Sequence, residues 1–231
     1  MVQICNNIGS KQLYRWEECL LSTAYLPPVS YFAAMAQSKK ARIASKENYQ
    51  KQSYRSRCDI LTSKGVQSLS IPVKRGGEQM SHKVPIDTIE IDYSFPWVHN
   101  HKKALEAAYK NSPFYDYYAP EIFSIIDMQP DTLLELNSLL TVRLLQLCGL
   151  PNNIYMEIEF SPVKEEFTES GQIDLRGILQ PKFKGESFLA HYKMEKPYWQ
   201  VFTSEQGFVP DLSIVDLLFN EGPNSLEFLL P

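Results

Sequence analysis

Between residues 19 and 44 the spacing of apolar positions changes twice. Cys19-Leu20-Leu21-Ser22-Thr23 is a short run of the kind found in a buried strand. Pro27-Pro28 then suits the opening turn of a helix whose apolar stripe is Val29, Phe32, Ala33 and Ala36. Ala41 to Ala44 reads as a second strand. Strand, helix and strand at this length form a βαβ unit, which implies parallel strands and a right-handed crossover. The expected fold class is α/β, a mixed, partly parallel sheet flanked by helices, with residues 1–231 in one domain.

Cys58 to Thr62 and Val66 to Val73 are two β-rich runs joined by Ser63-Lys64-Gly65, a hairpin whose glycine can take a positive φ. After a loop marked by Gly76-Gly77, Pro85 to Asp92 alternates apolar with polar residues and reads as a strand with one face in water. Ser94 as N-cap and Pro96 in the first turn start a helix with the stripe Trp97, His101, Ala104, Leu105 and Ala108, running until Pro113. A further helix is expected from about Asp131, with Leu133, Leu136, Asn137, Leu140, Leu144 and Leu147 on one stripe and Gly149 at its end. Tyr155 to Phe160 reads as another strand, and Ile214 to Phe219 as a short helix capped by Asp211 or Ser213.

A chain of 231 residues, 44% hydrophobic and 22% charged, can bury a full core without staples. Its net charge of −4 argues against a surface built for duplex nucleic acid. The charge is unevenly placed: residues 39–75 hold ten Lys or Arg against Glu47 and Asp59, whereas residues 203–231 hold five acids and no Lys or Arg. A cationic patch on an acidic chain suits a small anionic ligand. Cys5, Cys19, Cys58 and Cys148 are scattered, so reduced, buried thiols and a cytoplasmic location are expected. No signal peptide is apparent, and Glu135, Asn137 and Arg143 make the most apolar helix too polar to span a bilayer. His82, His99 and His191 lack the spacing and carboxylate company of metal ligands, and no phosphate loop, dinucleotide fingerprint or hydrolase elbow occurs. Neither a metal nor another cofactor is expected.

One basic stretch is residues 47–58, ENYQKQSYRSRC, with Lys51, Arg55 and Arg57 and its one acid, Glu47, at the start. Extended, it places Lys51, Arg55 and Arg57 on one face by period-two alternation. Three convergent cations, with Gln50 and tyrosines beside them, can hold a phosphate; alternatively they are a solvated sheet edge guarded by charge. A phosphate near the helix opening at Pro28 would give them a destination, because ligands of open parallel sheets bind where strand ends meet helix starts. His101, on the inward stripe, is either a general base or a hydrogen-bonded core residue. Asn137 has a similar inward place and reads as a structural amide. Asp174 and Arg176 share a face on a strand, forming either an internal ion pair or a ligand clamp that Lys182 can join. Phe114, Tyr115, Tyr117 and Tyr118 either stack on a sugar or close a core beneath a loop.

Residues 22–32 (STAYLPPVSYF), 49–58 (YQKQSYRSRC) and 69–73 (LSIPV) begin an ordered series of motifs. Trp97 and His101 in a W-x-x-x-H arrangement, Ala108-Tyr109 with Ser112-Pro113-Phe114-Tyr115, Asp174-Leu175-Arg176 with Pro181-Lys182, and Gly207-Phe208 through Gly222-Pro223 continue it. The series resembles the WbqC-like protein family of bacteria, whose members occur in gene clusters for surface polysaccharides such as O-antigen. The resemblance implies a group transferase acting on a nucleotide-linked or phosphorylated amino sugar, or else a non-catalytic module that binds a sugar nucleotide or scaffolds a synthesis complex. On that reading His101 is the candidate base, and Tyr25, Gln50, Lys51, Arg55, Arg57, Tyr109, Asp174, Arg176 and Lys182 are the candidate ligand-binding residues. The implied partner is an anionic small molecule such as a nucleotide-sugar. Many relatives carry His-Gln-Pro where this chain has Ser22-Thr23-Ala24, which resembles a Bacteroides-type branch, so any chemistry using that histidine must be done otherwise here.

Overall fold

Apolar side chains on alternate positions draw the first strand into the interior: β1 (Trp16–Ser22) buries Trp16, Cys19 and Leu21. The computed structural model describes residues 14–74, 84–151 and 171–231, and the backbone of Ile154–Glu157. Helix α1 (Val29–Ala36) carries no charged residue and is buried along its whole length, and β2 (Ser38–Ala44) returns parallel to β1, with Cys19 opposite Ala41 and Leu21 opposite Ile43. The expected βαβ unit is therefore present. The hairpin follows as β3 (Arg57–Thr62) and β4 (Gly65–Ser70), paired antiparallel.

Three helices come next: α2 (Trp97–Tyr109), α3 (Tyr115–Asp127) and α4 (Leu133–Leu147). Helix α2 packs on β3, and α3 packs on α4. Helix α4 starts as a capping motif, with Thr132 Oγ1 accepting from the Glu135 amide at 3.2 Å. Then β5 (Ile154–Glu157) joins β2, and β6 (Gln172–Asp174) joins the opposite edge of β1. All three pairings are parallel, and the strand order is β5-β2-β1-β6. The chain thus builds outward on one side of β1 and returns to add a strand on the other. Such a reversal leaves a crevice beyond the carboxyl ends of the two strands that flank it, here Ser22 of β1 and Asp174 of β6.

The C-terminal region adds α5 (Phe188–His191), α6 (Thr203–Gln206), α7 (Ile214–Glu221) and α8 (Ser225–Leu229); α7 and α8 pack on α1. Gly222 closes α7 at φ 55, and a Cβ there would lie 2.5 Å from the Phe114 ring, so only glycine lets α7 end against the start of α3. One buried apolar cluster runs from Trp16 to Leu229. Cys19, Cys58 and Cys148 are free and buried. No described helix is long and apolar enough to cross a membrane.

Several local expectations are corrected. Pro85 to Asp92 is not a strand: Ile86–Thr88 is a 3-10 turn, and the backbone around it bonds in sequence to Glu47, Asp131 and Pro72, so no single partner strand runs alongside. Ile86 and Ile89 are buried three residues apart, which fits a 3-10 turn as well as the alternation fits a strand. Ser94 does not cap α2; its amide and hydroxyl both donate to Asp92 Oδ1, and Pro96 precedes the helix. The aromatics after Pro113 belong to α3, which holds Pro120 and buries Tyr115, Ala119, Ile122 and Ile126 at helical spacing. Cys5, Arg75, His82, Gly76-Gly77 and the last part of the expected strand at 155–160 lie outside the described residues.

Candidate functional site

At the crevice, Ser22 ends β1 inside a charged network. Its Oγ donates to Glu47 Oε2 at 3.0 Å and accepts from Arg55 Nη2 at 2.9 Å, while its carbonyl accepts from Tyr31 Oη at 2.8 Å. Arg55 grips Glu47 in a bidentate pair, Nε to Oε1 at 2.9 Å and Nη2 to Oε2 at 2.6 Å, and Nη1 reaches Gln50 Oε1 at 3.3 Å. The two side chains are 6% and 3% exposed. The Arg55 fork is therefore filled by a carboxylate of the same chain, and Gln50 is drawn into the same network. Residues 51–56 are turns, with Gln52 at φ 58, so the period-two alternation that would align the three cations is absent. Arg57 contacts Ser70 Oγ at 3.4 Å across the hairpin, and Lys51 is exposed with no ion pair among the described residues.

On the other side of the crevice, Asp174 and Arg176 form the internal ion pair. Arg176 Nε donates to Asp174 Oδ1 at 3.0 Å and Nη2 to Oδ2 at 2.7 Å, with side chains 1% and 10% exposed. Lys182 is exposed and its ammonium donates to Gln52 Oε1, which ties the loop after β6 to the loop before β3.

The remaining candidates lie in the core. His101 is buried, with Nδ1 3.0 Å from Tyr25 Oη and the Trp97 ring edge-on at 5.1 Å. Burial pushes its pKa down to about 4, opposed by a hydrogen bond to the Ser70 backbone. The ring is thus neutral, and Tyr25 is the donor to Nδ1. Tyr109 is buried and its Oη accepts from the Leu61 amide at 3.1 Å. Asn137 acts as a structural amide, with Nδ2 donating to the Arg55 carbonyl at 2.8 Å.

Beyond the strand ends lies a cavity of about 120 Å³. Its walls are Tyr54, Gln180, Phe183, Phe188 and Asp211, completed by Ile178 and its neighbours. Tyr54 comes from the loop whose carbonyl accepts from the Tyr25 amide at 2.8 Å, just past β1, and residues 178–188 follow β6. An apolar cavity of roughly 150 Å³ accommodates one benzene ring, so this one is close to single-ring size. Asp211 joins it from 181 positions away in sequence: Oδ1 accepts from the Ser30 amide at 2.8 Å and Oδ2 from Ser30 Oγ at 2.9 Å. The acid expected to cap α7 instead caps α1, so the helix opening at Pro28 is already served by a carboxylate rather than awaiting a phosphate. Burial raises the Asp211 pKa to about 7, the Glu195 charge adds to the rise, and the Ser30 bonds oppose it. No signal in the sequence marked Asp211 as a site residue, because its partner is brought to it only by the fold.

A model of the WbqC-like protein family matches residues 23–175 and 177–228. The chain belongs to the WbqC-like protein family. This family is linked to polysaccharide-biosynthesis gene clusters. No curated protein and no solved structure matches the chain. Both strand ends of the crevice border the family match or lie within it, as do Lys51, Tyr54, Lys182, Phe183 and Asp211.

Proposed function

We propose that this protein is a group transferase of bacterial surface-polysaccharide synthesis, from a Bacteroides-type branch of its family, acting on an amino sugar carried by a nucleotide or phosphate. The observation that carries the reading is the ring-sized cavity at the carboxyl edge of the parallel sheet, walled by aromatic and hydrogen-bonding side chains. The sugar ring fits within it, against Tyr54, Phe183 and Phe188. Lys51 and Lys182 are exposed on the two loops that form the cavity, and they meet the phosphate as point charges. Arg55 and Arg176 hold those loops in place through Glu47 and Asp174 and act as positioning residues.

Calorimetric titration with UDP- and dTDP-linked sugars tests the reading. Binding is expected, weakened by about tenfold in Lys182→Ala and further in Lys51→Ala with Lys182→Ala. A protein that binds no phosphorylated sugar, or binds one equally well without both lysines, overturns it. One observation favours a second reading, that of a binding module without catalysis: His101 is a neutral core residue donating to and accepting from its own chain, so it offers no base to the crevice. Single-turnover assays with a bound sugar nucleotide separate the two.

A further inference from the structure

We propose that the cavity walled by Tyr54, Gln180, Phe183, Phe188 and Asp211 recognises a protonated amine on a single ring. The proposal rests on the ring-binding role given to the cavity above and names the group that it selects.

Among the described residues, Asp211 is the only charged side chain in the lining, and no Lys, Arg or His accompanies it. Each of its carboxylate oxygens accepts one hydrogen bond from Ser30, which fixes the group and leaves each oxygen a further lone pair. Three aromatic rings share the wall, and ring faces attract ammonium groups. A phosphate against Asp211 would meet a carboxylate that already serves the positive end of α1, with no cation among the described lining residues to neutralise it. The groups around Asp211 reinforce this preference. Glu195, in the narrower cavity on its other side, adds negative charge, and the Tyr54 hydroxyl is a neutral donor. The neighbouring Lys196 commits its ammonium to the carbonyls of Glu227 and Leu230, at 3.1 and 2.7 Å. Gly185 keeps the wall in shape, since a Cβ there would lie 2.6 Å from the Phe183 ring.

An amine binding beside Asp211 holds it in the ionised form, so affinity falls as pH drops below about 7. The test is titration of the protein with cyclohexylamine and with cyclohexanol, two probes without phosphate that differ in the charged group. At pH about 8 the amine is expected to bind about tenfold more tightly than the alcohol, and at pH about 5 that advantage shrinks. Asp211→Asn keeps an acceptor for the Ser30 amide and tolerates the positive φ of 56, and it is expected to abolish the preference. Phe183→Ala leaves the carboxylate in place and is expected to weaken both probes, which keeps the test decisive if the first variant folds poorly. Equal affinities, no binding of either probe, or a preference that survives Asp211→Asn overturns the proposal. Binding of phosphorylated sugars through Lys51 and Lys182 without any amine preference sinks this inference alone; an amine preference without phosphorylated-sugar binding sinks only the transferase reading.

Discussion

Arg55→Ala separates a structural arginine from a ligand-binding one. In the folded protein the guanidinium makes two bonds to Glu47, one to Ser22 and one to Gln50, all within a buried pocket. Removing it strands the Glu47 carboxylate, which among the described residues keeps only the Ser22 hydroxyl as a side-chain donor, at 3.0 Å. Breaking a buried pair from one side costs about 3 to 5 kcal/mol. The loss is therefore expected at about 3 to 5 kcal/mol, a drop in Tm on the order of 10 °C for a chain of this size. One further sign follows: Arg55→Met combined with Glu47→Leu recovers most of the stability because neither charge is left alone. Urea unfolding followed by tryptophan fluorescence measures both. A loss below about 1 kcal/mol with a specific loss of anion binding would refute the pairing argument and return Arg55 to the ligand.

For His101, the folded value of about 4 lies below the ordinary 6.5, so the unfolded chain takes up the proton first and stability falls as pH drops from about 6.5 through about 4. His101→Gln flattens that limb and costs about 1 to 3 kcal/mol at neutral pH if Tyr25 loses its acceptor, with no specific loss of turnover. The Cys19 thiol, pushed up to about 12 by burial, and the similarly raised Cys58 and Cys148 are expected to resist thiol reagents until the chain unfolds, as stopped-flow labelling will show. One cooperative urea transition, coincident by fluorescence and circular dichroism, is expected of a single domain; two separated transitions would divide it.

The parts of the fold that were legible in the sequence are those whose pattern is local. In β1, α1 and β2 the apolar spacing alone predicts the βαβ unit, and the stripe from Leu133 to Leu147 places the start of α4 near Asp131, within a few residues of where it begins. Pro85 to Asp92 misled because Ile89 and Ile91 alternate as in a strand, whereas Ile86 and Ile89 share the three-residue spacing of a turn, and only distant partners decide. Helix α3 was hidden by Pro113 and Pro120; burial of its apolar face offsets the hydrogen bond that Pro120 cannot donate. The site divides along the same line. Asp174 and Arg176 form the ion pair that their spacing suggested, although β6 ends at Asp174 and Arg176 lies in the turn that follows. Counting cations at 47–58 could not reveal that Glu47 claims Arg55, nor that Asp211 reaches Ser30, because each depends on where the chain folds back.

The most direct test of where ligand binds is hydrogen exchange, read by mass spectrometry, with and without a UDP-linked amino sugar at saturating concentration. Slower exchange is expected in residues 49–57 and 176–190 and at the start of α1, where the two loops and Asp211 enclose the cavity. Protection confined to α2 and its surroundings at Trp97 and His101, or no change along the chain, would contradict a sugar site at the carboxyl edge of the sheet.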